Sequence, residues 1–83
     1  LYVKNIKIRL TPFESIFISY MLENDGECNL ISFHNFLLNL TNRKTKRRSL
    51  VVYIGRLRKK IIYATGYNII KSRYKFGYYI DCI

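Results

Sequence analysis

The sequence predicts an α+β domain in which a short strand region, three helices and a β-hairpin follow in that order. Three observations carry this. Near the start, Ile6, Ile8 and Leu10 alternate with Lys7, Arg9 and Thr11, the period-2 pattern of a half-buried strand. Between residues 12 and 63, three stretches repeat apolar residues three and four apart, the period of amphipathic helices. After Gly66 the alternation returns, over residues 68–72 and again at Tyr78, Ile80 and Cys82. A chain of 83 residues makes one domain with a single modest core. Its expected parts are a strand region over 1–10, helices over 12–63 and a hairpin over 68–82.

Asn5 marks a turn after a short first strand. Thr11, Pro12 and Glu14 then supply an N-cap, a first-turn proline and the glutamate of a capping box. The helix they open buries Phe13, Ile16, Phe17, Tyr20 and Met21 and stops before Asn24, Asp25 and Gly26. Ser32 is placed to cap a second helix, with Phe33, Phe36, Leu37 and Leu40 on one face. Residues 41–48 are polar and basic with nothing to bury, and read as a loop entering the third helix.

That third helix, about 46–62, has to reconcile burial with charge. Leu50, Ile54, Leu57 and Ile61 form one stripe, and at roughly 100° per residue Arg48, Val52, Arg56 and Lys59 point the other way. Tyr53 and Lys60 flank one side and Arg58 the other, where an acid such as Glu14 is its expected partner. The charge of the whole chain is uneven in the same sense. Lys and Arg number 15 against 5 acids, a net charge of +10. No acid interrupts the segment from Arg43 to Lys60, whereas Glu14, Glu23, Asp25 and Glu27 all precede it. Such an excess points to nucleic acid or an anionic membrane surface, the latter less expected because the apolar stripe of the basic helix is needed for the core.

Other classes find little support. No apolar run reaches about 18 residues and no signal-peptide pattern is present, so a spanning segment is not expected. The chain opens on Leu1 rather than Met, as an excised domain would. Cys28 and Cys82 lack metal-ligand spacing and are expected to be free thiols. His34, the one histidine, has no second histidine, acid pair or phosphate loop beside it, and Cys28 has no base. An enzyme is not expected, nor a cofactor, a metal or a small-molecule substrate. The eight tyrosines invite a reading as stacking platforms for RNA, so a basic module for RNA or another anionic partner is the alternative.

Segment by segment, these residues resemble the winged-helix effector domain of OmpR/PhoB-type response regulators. Leu10, Thr11 and Glu14 match the LTxxE opening of that family's first helix. Arg48-Ser49-Leu50, Val52, Ile54 and Arg56-Leu57-Arg58-Lys59-Lys60 are similar to its recognition-helix pattern. Ile70, Ser72 and Gly77-Tyr78 resemble its closing wing signature. Val51 stands where the family has an aspartate. Lys75 replaces the first wing glycine, as in the ToxR/CadC-like branch, which carries a membrane anchor in place of a receiver.

The resemblance implies a winged helix-turn-helix that reads double-stranded DNA for a bacterial transcription regulator of a two-component system. Its third helix would lie in the major groove, with Arg48 and Arg56 on guanine edges and Val52 on a thymine methyl. Ser49 and Tyr53 would meet phosphate or a base edge, and Lys59 lies on the same outward face. Arg43, Lys44, Lys46, Arg47 and Lys60 would neutralise phosphates, and Arg73, Tyr74 or Lys75 at the wing tip would enter the minor groove. Head-to-tail dimers on DNA, RNA polymerase as a further partner and a place in the bacterial cytoplasm, free or on an inner-membrane anchor, are likewise implied by the resemblance.

Overall fold

The computed structural model describes residues 1–81, so the expectations placed on Cys82 lie outside it. Within that span the chain forms three helices and two antiparallel sheets, a small α+β fold. Strands β1 (Tyr2–Val3) and β2 (Ile6–Lys7) pair as a two-residue hairpin, Val3 opposite Ile6. Lys4 and Asn5 between them both take positive φ, as a type I′ turn requires. The strand is shorter than the alternation suggests. Ile8 and Val3 are buried, but Ile6, opposite Val3, is exposed.

Helix α1 (Pro12–Glu23) begins with the expected capping box: Glu14 N–H donates to Thr11 Oγ1 and Thr11 N–H donates to Glu14 Oε1. It buries Phe17, Ile18 and Met21 along with Glu14, while Phe13, Ile16 and Tyr20 pack at the core's margin. Asp25 and Gly26 turn the chain through positive φ. A strand that the sequence pattern does not announce follows, β3 (Glu27–Asn29). Three residues carry too little pattern to be seen from sequence.

Asn29, not Ser32, caps α2 (Leu30–Thr41): its side-chain oxygen accepts the N–H of Ser32. Phe33 and Leu37 are buried, but Phe36 and Leu40 remain exposed on the same helix. Helix α3 (Arg47–Thr65) runs three residues further than expected and ends at Gly66 in the left-handed region. Strands β4 (Ile70–Arg73) and β5 (Gly77–Ile80) form the hairpin, and β3 joins it to give the order β3-β5-β4.

Gly77 is the tightest joint of this sheet. Its φ is +150°, and a Cβ there would lie 2.1 Å from the Cys28 carbonyl oxygen and 2.8 Å from the Leu30 nitrogen. The central strand can approach the start of α2 only without a side chain. One core draws on all three helices and on both sheets: Phe17, Met21, Cys28, Phe33, Leu50, Ile54, Leu57 and Ile70 are fully enclosed, with Val3 and Tyr78 buried beside them. Burial pushes the Cys28 thiol up to about 12, so it stays protonated at neutral pH and serves as a small apolar filler. No helix among the described residues is long and apolar enough to cross a membrane.

Candidate nucleic-acid interface

Helix α3 has the two faces its periodicity predicts. Leu50, Ile54 and Leu57 are 0% exposed and Ile61 is 1% exposed, whereas Arg48, Val52, Arg56 and Lys59 are all exposed. Burying these four aliphatic side chains contributes on the order of 1.5–3 kcal/mol each. That burial holds the helix down and turns the cationic face outward. Tyr63 continues this face two turns beyond Arg56 and is 95% exposed. A helix expected to end near residue 62 leaves Tyr63 in a linker, which is why the sequence pattern does not single it out.

The amino-terminal end of α3 lacks what usually stabilises such an end. Lys46 at the N-cap makes no side-chain cap, no acid lies in the first turn, and Arg47 and Arg48 occupy it instead. The helix dipole already concentrates positive charge there, so two arginines sit where an anion would be favoured. The preceding loop adds Arg43, Lys44 and Lys46, all exposed. It is tied to α2 where His34 Nε2 donates to the Thr45 carbonyl and where the Arg43 N–H donates to Thr41 Oγ1. Asn42 in the left-handed region makes the exit from α2. The histidine is thus a brace for the basic loop.

The two cations expected to flank α3 have different fates. Arg58 does not pair with Glu14; it donates to Ser72 Oγ at 2.9 Å and its guanidinium lies 5.6 Å from the Tyr78 ring centroid. It therefore packs α3 against the β4–β5 hairpin. Glu14 is taken by Lys60, whose Nζ donates to Glu14 Oε1 at 2.6 Å and to the Arg9 carbonyl at 3.0 Å. Burial raises the Glu14 pKa, but the Lys60 hydrogen bond, the Thr11 N–H and the Lys60 charge outweigh it and hold the carboxyl below its ordinary value. Lys60 is thereby turned away from the outer face. Its side chain braces α3 on α1.

The hairpin likewise divides its residues. Arg73 ends β4 and is held on the sheet by Glu27, at 2.6 Å, with the rings of Phe76 and Tyr79 beside it. The tip itself is Tyr74, Lys75 and Phe76, with Lys75 at positive φ and the Phe76 N–H donating to the Arg73 carbonyl. Tyr74 is 88% exposed. A notch of about 380 Å³ opens between this hairpin and the first turns of α2 and α3, and Arg47, Ser72, Arg73 and Lys75 line it. Ser49 is half-buried, and Tyr53 leans its ring edge-on against Phe13, 5.3 Å between centroids.

Arg48, Val52, Arg56 and Lys59 are therefore gathered on one exposed face, with Arg43, Lys44, Lys46 and Arg47 around its amino-terminal end and Tyr74 and Lys75 on the hairpin beside it. Lys60 and Arg73 are engaged by carboxylates. The same cationic face carries the exposed Val52 and is flanked by the β4–β5 hairpin. Comparisons with protein-family models, with curated proteins and with solved structures find no match to this chain.

Proposed function

We propose that the domain is a winged helix that binds double-stranded DNA, with α3 as the recognition helix and the β4–β5 hairpin as the wing. The observation that carries this reading is α3 itself: one face is fully consumed by the core, and the other presents Arg48, Val52, Arg56 and Lys59 with no acid anywhere on the helix. An α-helix is about as wide as the major groove of B-DNA. Arg48 and Arg56 can donate in pairs to guanine edges, and Val52 can meet a thymine methyl. The cations of the uncapped first turn and the 42–46 loop would meet phosphates near the amino-terminal end of the helix. The sequence resemblance extends the reading to sequence-specific control of transcription in a bacterium, without catalysis or cofactor.

Binding of fluorescent duplexes of mixed and AT-rich sequence, with single strands as controls, tests this across a salt series. Preference for duplex, a sequence bias and a steep linear fall of log affinity with log salt are expected. Stronger binding to single strands overturns the reading. It would favour instead the basic module for RNA, for which the exposed rings of Tyr63 and Tyr74 are the specific support.

A further inference from the structure

Helix α3 is flanked on both sides, and the side away from the hairpin is also cationic. There the segment between β2 and α1 runs along its carboxy-terminal half, leaving a cleft of about 500 Å³ whose apolar wall is Ile8, Leu10 and Ala64 and whose polar rim is Lys7, Arg9, Thr11 and Lys60. Ile8 is buried between Lys7 and Arg9, so the extended chain turns these two basic side chains outward together. Both residues are exposed, and neither side chain has an ion pair or hydrogen bond among the described residues. Glu14, the acid close by, is already satisfied by Lys60 and the Thr11 N–H and faces the core. The Lys60 bond to the Arg9 carbonyl also pins the backbone of this segment to α3, so both cations branch from a chain held beside the helix.

We propose that this cleft is a phosphate site in which Lys7 and Arg9 hold a backbone phosphate of the nucleic acid lying on α3. The inference rests on the duplex-binding reading and extends the binding surface to the flank opposite the wing. A duplex seated on α3 then meets cations on both sides of the helix: Arg47 and Lys75 towards the hairpin, Lys7 and Arg9 towards the β2–α1 segment. Phosphate contacts of this kind fix orientation and carry no base information.

The test measures duplex affinity across a salt series for the wild type, the double variant Lys7→Gln/Arg9→Gln, Arg56→Ala, and Lys71→Gln on the outer sheet face as a charge control. The double variant is expected to lower the salt slope by about 2, one for each cation removed from the phosphate backbone, with sequence preference unchanged. If its slope and affinity match the wild type while Arg56→Ala still alters preference, the cleft holds no backbone phosphate and the recognition-helix reading stands. An equal loss of slope per charge in Lys71→Gln makes the effect one of net charge and overturns the site. If the wild type binds no duplex, the reading and the site fall together. Titration with inorganic phosphate at constant ionic strength, followed by the amide signals of residues 7–11, separates a free anion from the backbone. Saturation there, together with unchanged duplex binding by the double variant, assigns the cleft to a small anion instead.

Discussion

Helices α2 and α3 pack against one another in the same core and have opposite outer faces. Each buries an aliphatic or aromatic stripe: Phe33 and Leu37 on α2; Leu50, Ile54, Leu57 and Ile61 on α3. Outside the core they diverge. No Lys, Arg, Asp or Glu occurs from residue 28 to residue 42, and Ile31 and Leu40 are each 56% exposed. The outer face of α3 is cationic. Folding demands only the inner stripes, so it explains the similarity and not the difference. A chain with a net charge of +10 could have solubilised α2 with a few of its fifteen basic residues. Nine of the fifteen instead lie between Arg43 and Lys60, and that allocation is what supports the proposed binding face.

The largest effect on this arrangement is expected where α2, β3 and the hairpin are joined. Gly77→Ala forces a Cβ into the Cys28 carbonyl and the Leu30 nitrogen in a backbone conformation that side chains rarely adopt. A loss of roughly 3 kcal/mol or more, or failure to fold, is expected from urea denaturation. The hairpin should detach from the start of α2 with it, since the Leu30 N–H donates to the Phe76 carbonyl. A loss below about 1 kcal/mol would mean that this joint gives easily.

Next comes the inner stripe of α3. Ile54→Ala removes a fully buried side chain and should cost about 2–5 kcal/mol, the upper end if the site cannot collapse. Arg56→Ala, half a turn away on the outer face, should change stability by no more than about 0.5 kcal/mol. Equal losses from the two would show that the exposed face also stabilises the fold, and the contrast with α2 would lose its meaning.

Glu14 tests how α3 is anchored to α1. Its folded pKa lies below the ordinary value of 4.5, so the stability it contributes is full above that value. The contribution declines as pH falls through 4.5 and is gone below the depressed folded value. Glu14→Gln keeps the shape and removes the charge on which Lys60 rests. A loss of about 1–3 kcal/mol is expected at pH 7, nearer the lower figure because Lys60 is partly exposed to water. The difference from wild type should shrink as denaturation is repeated at lower pH. A difference independent of pH would assign the effect to packing rather than to the ion pair.

Helix α1 and the stripe of α3 are legible in the sequence because local chemistry decides them. The capping box at Thr11 and Glu14 and the spacing of Leu50, Ile54, Leu57 and Ile61 need no distant partner. What escapes is decided across the fold. Strand β3 exists because β5 is there to pair with it, and its three residues have no period of their own. Asn29 replaces Ser32 as the cap for the same reason, since pairing with Gly77 fixes where the extended chain ends. The fates of Arg58 and Lys60 are equally illegible. They sit two residues apart, and a helical wheel places them on opposite flanks without saying which flank holds the acid.

The smallest effects are expected where the two outer faces are compared directly. Ile31→Gln on α2 replaces an exposed side chain with a polar one of similar length and should leave stability within about 0.5 kcal/mol. It should also leave the salt dependence for duplex unchanged, because Ile31 lines the notch beside Arg47 and Lys75 but carries no charge. Arg56→Ala should be as neutral for folding yet cost about 1–3 kcal/mol in binding and relax the preference at one base pair. Titration of both variants against a panel of single-base-pair changes separates the faces. If Ile31→Gln weakened binding as much as Arg56→Ala, the nucleic acid would lie across α2, and the concentration of charge around α3 would need another explanation.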